Sequence, residues 1–154
     1  MMRRKVLNRL SPSILAICVT GAFLLACDHP SRVDIEGGVV PTFKVFGRGR
    51  IEVISVNGPD FRNPKSGEAG SRYMKPYWQI APTGEFDIQQ LENGGGLVYG
   101  QVPTGFRQVF PEPGTAPQPL LTDELFTFDL RVANGTGAGV RFVIHNGKAA
   151  VEGS

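Results

Sequence analysis

The sequence predicts an all-β fold, a small antiparallel β-sandwich, and three observations carry that expectation. Glycine and proline make up 20 and 12 of the 154 residues, about one in five, which cuts the chain into short segments. Between these breaks the runs are rich in β-branched and aromatic residues, the types that fit a half-buried pleated surface. Near the end, apolar and polar residues alternate on both sides of a Gly-rich loop, the pattern of a hairpin with one buried face.

The elements follow in order. Residues 28–40 are polar and contain Gly37-Gly38, and read as a tether, so structure is expected to start near Pro41. Residues 42–46 alternate, with Phe43 and Val45 on one face; Gly47-Arg48-Gly49 then interrupts in the manner of a bulge. Residues 51–56 are a β-branched strand that runs into Asn57-Gly58-Pro59, a turn signal. A polar loop over 60–71 leads to a strand over 74–80, with Met74, Trp78 and Ile80 on one side. Pro82-Thr83-Gly84 stops it. Residues 88–91 fit a short helical turn, and the glycines 94–96 fit a turn. Residues 97–102 and 107–110 read as two strands joined through Pro103-Thr104-Gly105. Four prolines between Pro111 and Pro119 deny that stretch a strand ladder, leaving an extended crossing between sheets or an irregular loop. Last comes the hairpin: Phe126, Phe128, Leu130 and Val132 alternate with polar neighbours, the loop spans 134–139, and Val140, Phe142 and Ile144 alternate in turn.

The hairpin carries a resemblance. Leu121-Thr122-Asp123-Glu124-Leu125-Phe126 stands where fibronectin type III and related immunoglobulin-like sandwiches have a leucine, a turn and a tyrosine. Phe126 replaces the tyrosine, so the corner hydrogen bond of that family has no hydroxyl to make it. Trp78 is the candidate for the buried tryptophan of the first half. The resemblance implies a two-sheet fold; a transthyretin-like sandwich is the other two-sheet arrangement that the strand lengths allow.

The start of the chain is more specific. Arg3, Arg4, Lys5 and Arg9 form a basic segment, and no acid occurs before Asp28. An apolar run over 14–26 follows, 13 residues long. That is short of the roughly 20 a spanning helix needs and within the about 7–15 of a signal h-region. Leu24-Leu25-Ala26-Cys27 closes the run. The whole resembles the lipobox signal of bacterial lipoproteins, although Leu25 stands where that family more often has a small residue. The resemblance implies removal of 1–26, an N-terminal signal helix, and attachment of a diacylglyceryl group and an N-acyl chain to Cys27. It implies a bacterial envelope location with the domain in the periplasm. Asp28, directly after the cysteine, hints at retention in the inner membrane.

Cleavage there leaves 128 residues, one domain's length. Of the 16 basic residues twelve remain against 14 acids, so the mature chain carries −2 and nothing in its charge points to nucleic acid. Cys18 leaves with the signal and Cys27 is occupied by lipid, so no disulfide is expected. The expected organisation is signal 1–26, tether 27–40, sandwich 41–150 and tail 151–154.

Chemistry-bearing patterns are sparse. The two histidines, His29 and His145, cannot make a four-ligand zinc site, and His145 reads as a surface residue before Asn146-Gly147. No G-x-S-x-G, S-x-x-K or H-E-x-x-H occurs. Glu85 with Asp87 and Asp123 with Glu124 read as solvated loop charges rather than carboxylates set across a cleft. Gly94-Gly95-Gly96 lacks the Lys-Ser/Thr of a phosphate loop. Lys44, Arg48 and Arg50 form a small basic patch, a solvated strand face or a contact for anionic headgroups. The expectation is therefore a protein with no metal, no cofactor beyond its own lipid and no catalysis. One surface stands out for binding: if Trp78 faces inward, Tyr73, Lys75 and Tyr77 share the opposite face. Exposed tyrosines favour contacts, and Pro76 confines the strand to an edge or a bulge, where a partner strand can add. A protein partner in the envelope fits that reading. A hydrolase of an envelope polymer and a carrier of a small apolar ligand are the alternatives.

Overall fold

A computed structural model describes residues 30–60 and 74–152. Among the described residues nine strands form two antiparallel sheets, joined by one short helix. In chain order they are β1 (Arg32–Gly37), β2 (Pro41–Phe46), β3 (Ile51–Pro59), β4 (Met74–Pro82), α1 (Ile88–Asn93), β5 (Leu97–Val98), β6 (Phe106–Phe110), β7 (Leu125–Val132), β8 (Ala138–His145) and β9 (Lys148–Val151). One sheet has the order β1-β2-β5; the other has the order β6-β4-β3-β7-β8-β9. The all-β sandwich expected from the sequence is what forms.

The core lies between the sheets and is one cluster. Phe43 of β2 stacks on Phe128 of β7, centroids 4.4 Å apart, and meets Phe142 of β8 edge-on at 5.5 Å. These contacts hold the smaller sheet on the larger. Ile88 and Leu91 of α1 are buried in the same cluster. Alternation in the hairpin reads directly into burial: Phe126, Phe128, Leu130 and Val132 face the core, as do Phe142 and Ile144. Phe126, in the place of the corner tyrosine, packs against Phe142 and Tyr77. Trp78 is fully enclosed and meets Tyr99 edge-on.

Several segments depart from expectation. Residues 32–37, expected within the tether, form β1 and pair with β2 from Arg32↔Phe46 to Gly37↔Pro41. Val33 and Ile35 pack against the core while Arg32, Asp34 and Glu36 stay outside, so the segment has an apolar face to bury. The ordered chain therefore starts before Pro41. At the other end, Val151 belongs to β9 rather than to a tail, opposite Phe142. Asn57-Gly58-Pro59 continues β3 instead of turning. A Cβ at Gly58 would lie 2.6 Å from Tyr77 Cε2 and 2.7 Å from Phe126 Cε1, so here glycine serves close packing and not a turn. Only Leu97 and Val98 of the expected 97–102 strand pair with β2, because Gly100 takes φ +79° and Gln101 N–H folds back to Val98 O.

The proline-rich stretch, expected to cross between sheets or to form a loop, joins β6 and β7 of the same six-stranded sheet. It leaves β6, where Gln108 Nε2 donates to the carbonyls of Pro111, Glu112 and Thr115. It then passes beside β5, where Tyr99 Oη donates to Gln118 O at 2.6 Å. At the opposite side, Gly38 bridges to Lys148, which draws β1 against β9.

Candidate functional site

Of the contact surface expected on β4, Tyr77 is not on the exposed face. Tyr73 lies outside the described residues, as do Cys27 and Asp28. Tyr77 is a core residue, 2% exposed, with Oη donating to Pro59 O at 3.3 Å and its ring edge-on to Phe126. Burial, with the carboxylates of Glu124 and then Asp60, pushes its phenol above the ordinary value. Lys75 is half-buried, its Nζ 5.7 Å from the centroid of the Tyr77 ring. The cause is a bulge. Val56 pairs with Trp78, but Asn57 pairs with Pro76, so Tyr77 is the extra residue on β4. Strict alternation breaks there, and Tyr77 and Trp78 both turn inward. Pro76, which has no N–H to give the ladder, sits beside the interruption.

The outer face of the larger sheet carries the most developed polar site. Register places Gln79, Ser55, Asp129 and Gly139 in one row across β4, β3, β7 and β8. Asn57 and Thr127 form part of the next row. Together with Arg131 and Gly137 all of these but Thr127 line an open depression of about 590 Å³. Asp129 organises it. Its Oδ2 accepts from Asn57 Nδ2 at 2.9 Å and from Thr127 Oγ1 at 2.8 Å. Its Oδ1 lies over Gly139, where an added Cβ would stand 3.2 Å away. At Gly137 an added Cβ would strike the Leu130 carbonyl oxygen, so the floor of the depression stays low. The result is a fixed carboxylate with one oxygen engaged, amide and hydroxyl groups at its side, and a guanidinium two residues along the same strand. Such a set can donate to and accept from a polar ligand. Neither a second carboxylate nor a histidine lines it.

No family model, curated protein or solved structure matches this chain.

The remaining polar candidates are spread over the surface. His145 Nδ1 meets Asp123 Oδ1 at 2.6 Å, with both side chains more than 60% exposed. Asp123 is held in the left-handed region, φ +59°, and Asn146 after the histidine at φ +50°. Glu85 pairs with Arg50 at 3.1 Å, and Asp87 caps α1 through a capping box with Gln90. Glu85 and Asp87 thus serve separate partners, and Asp123 pairs with His145. Of the basic patch, Lys44 pairs with Glu36 at 2.7 Å and Arg50 with Glu85, while Arg48 makes no ion pair among the described residues. No group of three His, Cys, Asp or Glu side chains that could hold a metal occurs among the described residues. No described helix is long and apolar enough to cross a membrane.

Sequence reasoning set Asp129 outside the core but did not select it. Its partner Asn57 is 72 residues away, and only the pairing of β3 with β7 brings the two together. A signal was present in the small residues Ser55, Gly137 and Gly139, which stand on or beside strand positions where larger side chains are usual.

Proposed function

We propose that this chain is a bacterial envelope lipoprotein, acylated on Cys27, whose β-sandwich is a non-catalytic binding module displaying its polar depression to an envelope partner. The observation that carries the reading is the run Leu24-Leu25-Ala26-Cys27, placed behind a basic segment and 13 apolar residues. Acyl chains contribute about 0.8 kcal/mol per buried CH₂, and two or more make the anchoring stable. The domain itself then needs no bilayer-spanning surface. The polar depression supports binding: its groups are already hydrogen-bonded to one another around Asp129 and therefore held in place for a ligand. A glycosidase would need a second carboxylate across the groove, and the lining offers Asp129 alone.

Two measurements test this. Metabolic labelling with a palmitate analogue is expected to mark the full chain and to fail on Cys27→Ala, which moves to the soluble fraction. Label retained by Cys27→Ala would sink the anchor. In-cell cross-linking of the anchored protein is expected to capture a partner, and Asp129→Ala with Arg131→Ala to lose it. Unchanged capture by that double variant would remove the depression from the reading.

A further inference from the structure

The chain before β1 decides which end of the sandwich lies toward the anchor, and among the described residues arginines gather at that end. Arg32, the first residue of β1, is five residues after Cys27. Five extended residues span at most about 18 Å. Arg32 pairs with Phe46, the last residue of β2, so the β2–β3 link lies at the same end. Ile51 at the start of β3 pairs with Val132 at the end of β7, and Pro82 at the end of β4 pairs with Phe106 at the start of β6. One end of the molecule is thereby defined.

Arginine collects there. Of the six arginines among the described residues, Arg32, Arg48, Arg50, Arg107 and Arg131 lie at this end, and Arg141 is mid-strand on β8. Asp34 and Glu85 pair with Arg32 and Arg50. Arg48, Arg107 and Arg131 make no ion pair among the described residues, against Glu52 and Asp87 at the same end. Among the described residues the opposite end carries Asp60, Asp123 and Glu124 against Lys75 and Lys148, with Arg62, Lys65, Glu68 and Arg72 in the chain between β3 and β4, and it exposes Val39 and Val40 at the β1–β2 turn.

We propose that the arginine-bearing end rests on the headgroup phosphates of the bilayer that holds the Cys27 lipid, with the strands upright and the Val39–Val40 turn pointing away. The inference rests on the anchoring reading and adds an orientation to it. Headgroups occupy roughly 5–7 Å on each side of the hydrocarbon, so a tether of that length keeps the arginines within reach of phosphate. Guanidinium matches phosphate oxygens with parallel N–H donors. Because the lipid already confines the domain, a weak surface contact acts at high effective concentration. β1 spans about 17 Å from Arg32 to Gly37 at strand rise, so the Val39–Val40 turn stands clear of the headgroups. The Asp129 depression then faces sideways, parallel to the membrane plane, open to neighbours in the periplasm.

The test uses the acylated full-length protein in vesicles of phosphatidylethanolamine and phosphatidylglycerol. Cys18 is removed with the signal and Cys27 is blocked by lipid, so an introduced cysteine is the reactive thiol. A fluorophore is placed at Thr136→Cys, in the β7–β8 loop at the arginine end, or at Val40→Cys. Quenching by a nitroxide-headgroup lipid is then compared. The expected result is several-fold stronger quenching at position 136, with the difference lost in Arg48→Glu/Arg131→Glu. Equal quenching at the two positions, stronger quenching at position 40, or a difference that survives the charge reversal would overturn the orientation while leaving the anchor intact. Mass spectrometry of the same preparation separates the two failures: an unmodified Cys27 overturns the anchor and the orientation together.

Discussion

Trp78 is fully enclosed, yet its indole N–H has no acceptor among the described residues. A buried donor left unpaired costs about 1–3 kcal/mol, so part of what the ring gains by packing against Tyr99 is offset. Trp78→Phe removes the orphan donor together with some area. It is expected to destabilise by about 1 kcal/mol, well below the roughly 3–5 kcal/mol expected for Phe128→Ala, which empties the stack with Phe43. Urea unfolding of the two variants checks the order; a larger loss in Trp78→Phe would refute it. The tyrosines give a pH test. Burial, with a smaller effect of Tyr77, holds the Tyr99 phenol well above its ordinary value, and Tyr77 is raised as well. Above about pH 10 the unfolded chain loses these protons while the folded one keeps them. Stability is therefore full below that pH and falls as pH rises through the folded values. Tyr99→Phe is expected to flatten the fall between neutral and strongly alkaline pH, read as unfolding midpoint against pH. At this scale the sequence was a good guide to which residues are buried in the hairpin, where local alternation decides. It was a poor guide to Asp129, because hydrogen bonding across 72 residues of chain leaves no local trace.

At the scale of elements, the hairpin β7–β8 was legible because both of its strands announce themselves within one window. β1 was less so, although Val33 and Ile35 alternate with charged residues; two apolar positions beside Gly37-Gly38 are a thin signal. The partly buried pair predicts a measurable role. Ile35→Asp is expected to cost about 1–2 kcal/mol and to speed hydrogen exchange in β2, whereas a simple tether would tolerate the change. β4 misled for another reason: a period-two reading cannot foresee a bulge, and one extra residue at Tyr77 reverses the face of everything before it. Pro76 was the visible warning. The complementary adjustment on β3 is Gly58, and Gly58→Ala is expected to destabilise by about 1–3 kcal/mol through overpacking against Tyr77 and Phe126. Unchanged thermal stability in that variant would show that the rings can move aside.

At the scale of the whole molecule, fold class followed from punctuation and residue type, because frequent Gly and Pro with β-branched runs leave few other solutions. The partition of nine strands into sheets of three and six did not follow, since it depends on pairings between distant segments such as β2 with β5 and β3 with β7. The same long-range pairings build the molecule's two unlike ends and its polar flank. They set the exposed Val39–Val40 turn opposite the arginines, an arrangement that no single segment carries.

The pairing of β1 with β2 also has a mechanical meaning. β1 is the first strand after Cys27, and it is held by six antiparallel register pairs along its length. Any tension between an acyl anchor and a partner on the larger sheet enters the domain at Arg32 and pulls along the strand axis. The rungs are then loaded in shear and must yield together, whereas a pull across the strand would open them one after another. A domain tethered in this way can transmit load while staying folded.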